Sequence, residues 1–250
     1  MRQAERKAAD LDSLRAKVRR LERRASSGPR LAASLGSGAI DEALPGGGLP
    51  LAGLHEILPE RSEWDDGPAT GFAVALLTAV MKVAPGPLLW VSRHDDLHAP
   101  GCAGLAARHV LRARARRDEE VFWALEEGLR CRDLVAVLGE VETFERTAAR
   151  RLQLAAENAG RPCFLLQRRR FAARGGAPHS PALTRWRVAS APGREDLPRG
   201  LVGLPRWRVE LLRCRGAPPR GFLMEWDDAT GAIALAAGLR DRALPAALSA

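Results

Sequence analysis

Between residues 51 and 167 short apolar runs alternate with helix-patterned segments, and that alternation leaves few folds open. The runs LAGLHEIL (51–58), GPLLWVS (86–92), DLVAVLGEV (133–141) and RPCFLLQ (161–167) are strand-length and apolar on both faces. Between them lie GFAVALLTAVMKV (71–83), RRDEEVFWALEEGLR (116–130) and ERTAARRLQLAAENAG (145–160). In the second, Val121, Leu125 and Leu129 recur at helical spacing behind an acidic first turn, and Gly160 closes the third. Strands apolar on both faces need cover on both sides, so the pattern predicts an α/β domain with a largely parallel central sheet. After residue 183 the pattern changes. TRWRVAS (184–190), PRWRVELLRCR (205–215), GFLMEWDD (221–228) and GAIALAA (231–237) alternate polar and apolar residues between Pro and Gly turns. They predict antiparallel strands that extend the sheet, with Trp186 and Trp207 inside and the flanking arginines outside.

At 250 residues, 46% of them hydrophobic, the chain can bury one substantial core. No stretch approaches the roughly 18 apolar residues of a membrane helix, and MRQAERKAADLDSLRAKVRR lacks the apolar segment of a signal peptide, so a cytoplasmic protein with no membrane partner is expected. The expected organisation is a helix over 1–25, a linker over 26–33, a core domain over 34–240 and a tail over 241–250. In the first segment Leu11, Leu14, Val18 and Leu21 form one helical stripe among arginines, either to dock another protein or to fold back on the core.

Charge is unevenly placed. Residues 1–30 carry ten basic against four acidic groups, residues 31–100 three against nine, and residues 161–220 fourteen against three, within a net charge of +9. A basic last third suits a polyanion or an acidic protein surface. Arginine-biased composition is the plainer explanation, since the only lysines are at 7, 17 and 82. Cys102, Cys131, Cys163 and Cys214 are too widely spaced for a zinc pair or a small disulfide framework, and are expected as buried thiols.

The segment EILPERSEWDDGPATGF (56–72) joins a strand to a helix, where a nucleotide-binding fold carries its phosphate loop. Such a loop needs glycines that aim backbone N–H groups at phosphate, a lysine for the β and γ phosphates, and a Ser or Thr for magnesium. Between His55 and Val80 there is no lysine and the only cation is Arg61. Pro59 and Pro68 have no N–H, and Glu60, Glu63, Asp65 and Asp66 would repel a triphosphate. Thr70 could mimic the magnesium hydroxyl but is expected as a helix N-cap.

Two other clusters are weaker. His94 and His98 in HDDLH have metal-ligand spacing but follow a strand, where a turn is expected; His179 and Ser180 are adjacent in a Pro-flanked loop, a poor geometry for base and nucleophile. QRRRFAARGGAPHSPA (167–182) reads as an exposed loop in which Arg168, Arg169, Arg170 and Arg174 surround Phe171. Such a loop can neutralise phosphates and stack a base, contact an acidic protein, or simply be solvated.

The segments GSGAIDEALPGGGLPLAGLHEIL, LLWVSRHDDLHAPG, RARRDEEVFWALEEGLR, VAVLGEVE, ARRLQLAAE, TRWRVASAP, RWRVELLRCRG and FLMEWDDATG, in this order over residues 34–238, resemble the inducible-mutagenesis protein A (ImuA) family. The resemblance implies a RecA-like core and a distant relation to SulA division inhibitors. It also implies an accessory role in damage-induced translesion synthesis, with an ImuB-like Y-family pseudo-polymerase as partner and the RecA filament and single-stranded DNA as further candidates. The arginine loop corresponds to the DNA-facing loop of RecA-like proteins, and Leu11, Leu14, Val18 and Leu21 are the candidate partner-binding residues. In RecA-type ATPases the strand matched by DLVAVLGEV ends in a magnesium-orienting aspartate and the strand matched by LLWVS is followed by a glutamate that activates water. Here Gly139 and Glu140 end the first, and RHDDLH follows the second, with Asp95 or Asp96 as conceivable stand-ins. A non-catalytic adaptor without cofactor, metal or catalytic residue is therefore expected. The alternatives are an ATP-dependent accessory using Arg61, Thr70 and Glu140, or a SulA-like inhibitor.

Overall fold

The computed structural model describes residues 31–61, 64–94, 105, 109–168, 180–193, 203–227 and 232–235. In chain order the elements are β1 (Ala32–Ala33), α1 (Gly38–Glu42), β2 (Leu49–Pro50), β3 (Gly53–Pro59), α2 (Asp66–Val83), β4 (Leu88–Ser92) and β5 (Val110–Arg114). They continue with α3 (Asp118–Arg130), β6 (Ala136–Val141), α4 (Arg146–Ala159), β7 (Pro162–Gln167), β8 (Thr184–Ser190), β9 (Arg206–Cys214), β10 (Arg220–Asp227) and β11 (Ala232–Leu235). One nine-stranded sheet has the order β11-β10-β9-β8-β3-β7-β6-β4-β5. The block from β8 to β5 is parallel, and β9, β10 and β11 add to it antiparallel. This is the RecA-like α/β core, with its antiparallel extension at β9, β10 and β11; TRWRVAS, expected among the antiparallel strands, is β8, which pairs parallel with β3 and antiparallel with β9.

The two faces of the sheet hold separate cores. On one, α2 packs against Ile57, Leu88, Trp90, Leu138, Phe164, Trp186 and Val209, and the β1–α1–β2 segment closes over the helix. Covered on both sides, α2 is buried continuously from Phe72 to Val80, which explains a helix apolar all round. On the other face α3 and α4 cover Leu54, Val91, Val137, Cys163 and Leu165. Gly139 makes that approach possible, because a Cβ there would lie 2.6 Å from Leu125 Cδ1 and 2.7 Å from Val121 Cγ1. Gly160 takes the left-handed conformation (φ 66°) that ends α4.

Trp186 and Trp207 are core residues. Trp186 meets Phe72 edge-on at 5.4 Å between centroids, and Trp207 stacks on Trp226 at 6.0 Å. The arginine beside the first tryptophan departs from expectation: Arg185 is buried and pairs with Glu56 at 3.3 Å. Among the cysteines Cys163 and Cys214 are buried but Cys131, at the end of α3, is exposed; Cys102 lies outside the described residues. No described helix is long and apolar enough to cross a membrane.

Candidate functional site

The carboxyl ends of β3, β4, β6, β7 and β8 lie side by side, the edge at which an open parallel sheet binds ligands. The loop from Glu60 to Asp65 joins β3 to α2 there, in the position of a phosphate loop. The Asp65 carboxylate draws hydrogen bonds from this loop and from the end of β8. Asp65 is fully buried. Its Oδ2 accepts from the Arg61 N–H at 3.0 Å and from Arg61 Nε at 3.2 Å, and its Oδ1 accepts from the Ser190 N–H at 2.8 Å and Ser190 Oγ at 2.9 Å. Burial pushes this carboxyl's pKa up, but the hydrogen bonds from Ser190 and Arg61 outweigh it and hold the group below the usual carboxylate range. The group is an anion at neutral pH, set immediately before the first turn of α2. Glu60, at the start of the loop, is tied to Arg208 on β9.

Thr70 does not cap α2. The helix begins at Asp66, and Thr70 lies one turn inside it with Oγ donating to the Asp66 carbonyl at 2.8 Å. The apolar run that located this helix starts a turn late, because its first turn is the polar DGPAT.

Along the same edge, with β7 between it and β3, the end of β6 presents Glu140, 1% exposed. Trp90 Nε1 on β4 donates to its Oε1 at 2.6 Å, and Arg168, just beyond β7, donates Nε–H to its Oε2 at 2.8 Å. Both carboxylate oxygens are thus engaged within the protein, and the adjacent positive charge is a guanidinium. Arg168 is largely buried in this pair, 13% exposed. It is an anchor at the root of the arginine loop; Arg169, Arg170, Phe171 and Arg174 lie outside the described residues.

At the end of β4, Arg93 reaches Asp118 Oδ1 at 3.2 Å and Glu142 Oε2 at 3.0 Å, and His94 Nε2 lies 3.1 Å from Glu142 Oε1. Asp118, expected only as a helix-dipole acid, also accepts from the Thr143 N–H (2.8 Å) and Thr143 Oγ (2.6 Å) and from the Glu142 N–H. Burial raises its pKa, yet these donors and Arg93 outweigh burial and hold it below the ordinary value. His94 is therefore bound to a carboxylate; Asp95, Asp96 and His98 lie outside the described residues, and no metal-ligand cluster exists among those described.

Ser180 marks the far end of the arginine loop. It is buried and donates to Glu56, while Arg213 reaches its carbonyl. Burial pushes Glu56 above the usual carboxylate range despite Arg185, Ser180 and Arg213. The hydroxyl is spent on structure; His179, its sequence neighbour, lies outside the described residues, as do Leu11, Leu14, Val18 and Leu21.

Asp65 with Ser190, and Glu140 with Trp90 and Arg168, are two pairings between separate elements, and only a strand order could have assembled them from the sequence. The chain is 39% identical to Protein ImuA of Caulobacter vibrioides strain NA1000 / CB15N over 204 residues, which cover 78% of this chain and 84% of that protein. Protein ImuA from strain ATCC 19089 of the same species matches equally. The chain belongs to the ImuA family. No protein-family model matches it.

Proposed function

We infer that this ImuA-family chain is a non-catalytic, RecA-like adaptor in damage-induced mutagenesis. It joins an ImuB-like pseudo-polymerase to sites of stalled synthesis, with the RecA filament and single-stranded DNA as further contacts. Membership of the ImuA family supports the setting. The observation that carries the absence of ATPase activity is the filling of both charged positions of the would-be nucleotide site from within. Asp65 accepts from the Arg61 N–H of the loop and from the Ser190 N–H at the end of β8, and Arg168 neutralises Glu140. A triphosphate would have to displace a buried carboxylate from four hydrogen bonds without a lysine to compensate, and magnesium would have to displace a guanidinium. Function therefore rests on the surfaces of the scaffold rather than on its nucleotide site.

The partner contact is assigned to the stripe Leu11, Leu14, Val18 and Leu21, whose spacing suits a helix laid in an apolar groove. Capture of the ImuB-like protein by tagged chain tests it. Leu14→Asp with Val18→Asp should leave the melting temperature of the core unchanged and reduce capture at least tenfold. Equal capture by variant and wild type would remove the stripe from the interface.

A further inference from the structure

The outermost strand of the parallel block carries a row of arginines. β5 pairs with β4 along one edge, in register from Leu88↔Val110 to Ser92↔Arg114, and stands last in the sheet order. The Ala115 N–H donates to the Ser92 carbonyl at 3.0 Å, which carries the pairing one residue past the strand. Arg112 and Arg114 therefore lie on one side of the sheet about 6.6 Å apart, and Arg116 follows where the chain bends toward α3; all three are exposed.

The charge along this segment is of one sign. No Asp or Glu occurs between Leu97 and Arg117. Of the acids that follow, Asp118 is buried and pairs with Arg93 at 3.2 Å, and Glu120 accepts from the Arg116 N–H at 2.7 Å and lies 3.4 Å from Arg117 Nε. Glu119 is exposed on α3, beyond that bend.

Guanidinium groups spaced two strand residues apart match successive phosphates of an extended nucleic-acid strand, and each can hold a phosphate through two parallel hydrogen bonds. A protein interface has an apolar centre, and the arginine side of β5 offers none. Leu111, 52% exposed, and Ala113 point to the other face, while Val110 packs against the core. A second copy paired symmetrically about the middle of the strand would set Arg112 opposite Arg112. β5 also lies three strands, about 14 Å, from β7, whose end leads into Arg168, so the row is separate from the arginine loop that begins there.

We propose that Arg112, Arg114 and Arg116 bind the phosphodiester backbone of single-stranded nucleic acid, without regard to base sequence. The site rests on the single-strand contact of the adaptor reading and gives that contact a location outside the arginine loop.

The test uses the full chain and the anisotropy of a labelled oligo-dT, with a duplex of equal length and polyglutamate as comparisons, from about 50 to 200 mM salt. Arg112→Gln with Arg114→Gln and Arg116→Gln should lower single-strand affinity about tenfold or more at low salt. The slope of log affinity against log salt should fall by about 2.1, three phosphate contacts' worth. Arg114→Gln with Arg116→Gln, which leaves Arg112 in place, should reduce it by about 1.4. Lysine at all three positions should keep the wild-type slope, and every variant should melt with the wild type. Wild-type binding with an unchanged slope in both glutamine variants would overturn the site and leave the single-strand contact standing elsewhere. No wild-type binding at low salt would overturn the contact and the site together. A loss seen with duplex alone would assign the row to double-stranded DNA, and displacement by polyglutamate as readily as by unlabelled oligo-dT would assign it to an acidic protein; either would overturn the proposal.

Discussion

Replacing Asp65 by Ala removes a side chain that holds the β3–α2 loop to the end of β8. Four hydrogen bonds end on its carboxylate, at 2.8, 2.9, 3.0 and 3.2 Å. Bonds to a charged acceptor contribute about 1.5–3 kcal/mol each when considered singly. The bond from Arg61 Nε counts for little, because that side chain is 63% exposed. Water entering the vacated space would hydrate the two backbone donors, so the remaining three do not add, and a loss of about 2–4 kcal/mol is expected. With a urea slope of about 3 kcal/mol/M for a core of this size, the midpoint should fall by roughly 1 M at unchanged slope. The folded pKa of Asp65 is depressed, so its contribution is present above the unfolded-chain value of about 3.9 and is lost as pH falls through the folded value. The gap between wild type and variant should therefore be constant from pH 8 to 6 and close on acidification below pH 4. A midpoint within about 0.2 M of wild type at pH 7 would refute the role given to this carboxylate.

Other perturbations separate buried from exposed charge. Arg168→Ala leaves Glu140 buried with Trp90 as its remaining described partner and should cost about 3–5 kcal/mol in urea unfolding, whereas Arg208→Ala, whose side chain is 53% exposed, should cost under about 1 kcal/mol; equal losses would contradict the assignment of Arg168 as an anchor. For the loop beyond it, Arg169→Ala with Arg170→Ala should lower single-strand affinity and reduce the slope of log affinity against log salt by about 1.4, two phosphate contacts' worth. A wild-type chain with no single-strand binding at low salt would remove DNA from the partners.

The sheet was legible because its strands announce themselves by composition. Val137, Leu138, Phe164 and Leu165 can only be interior, and Trp186, Val188, Trp207 and Val209 alternate with charged neighbours. β5 was not legible: VLRAR is an edge strand whose arginines hide its period, and its pairing with β4 appears only in the fold. Neither was Arg185, which the alternating pattern sends to solvent and which Glu56, an equally unexpected buried charge on β3, holds inside. At the nucleotide position the sequence displayed the missing lysine and the surplus carboxylates. It did not display that Asp65 turns inward onto Arg61 and Ser190, because Ser190 lies 125 residues further along the chain. Long-range pairing of polar groups leaves no periodic signal, whereas burial of apolar ones does.

Thermal unfolding with and without magnesium–ATP tests the central claim most directly. A ligand present at 100 times its dissociation constant stabilises the folded state by about 2.7 kcal/mol, and at roughly 2–4 °C per kcal/mol for a core of this size the midpoint would rise by about 5–10 °C. With 1 mM nucleotide the account predicts a midpoint indistinguishable from that of the free chain; a rise of several degrees that needs both ATP and magnesium would contradict it.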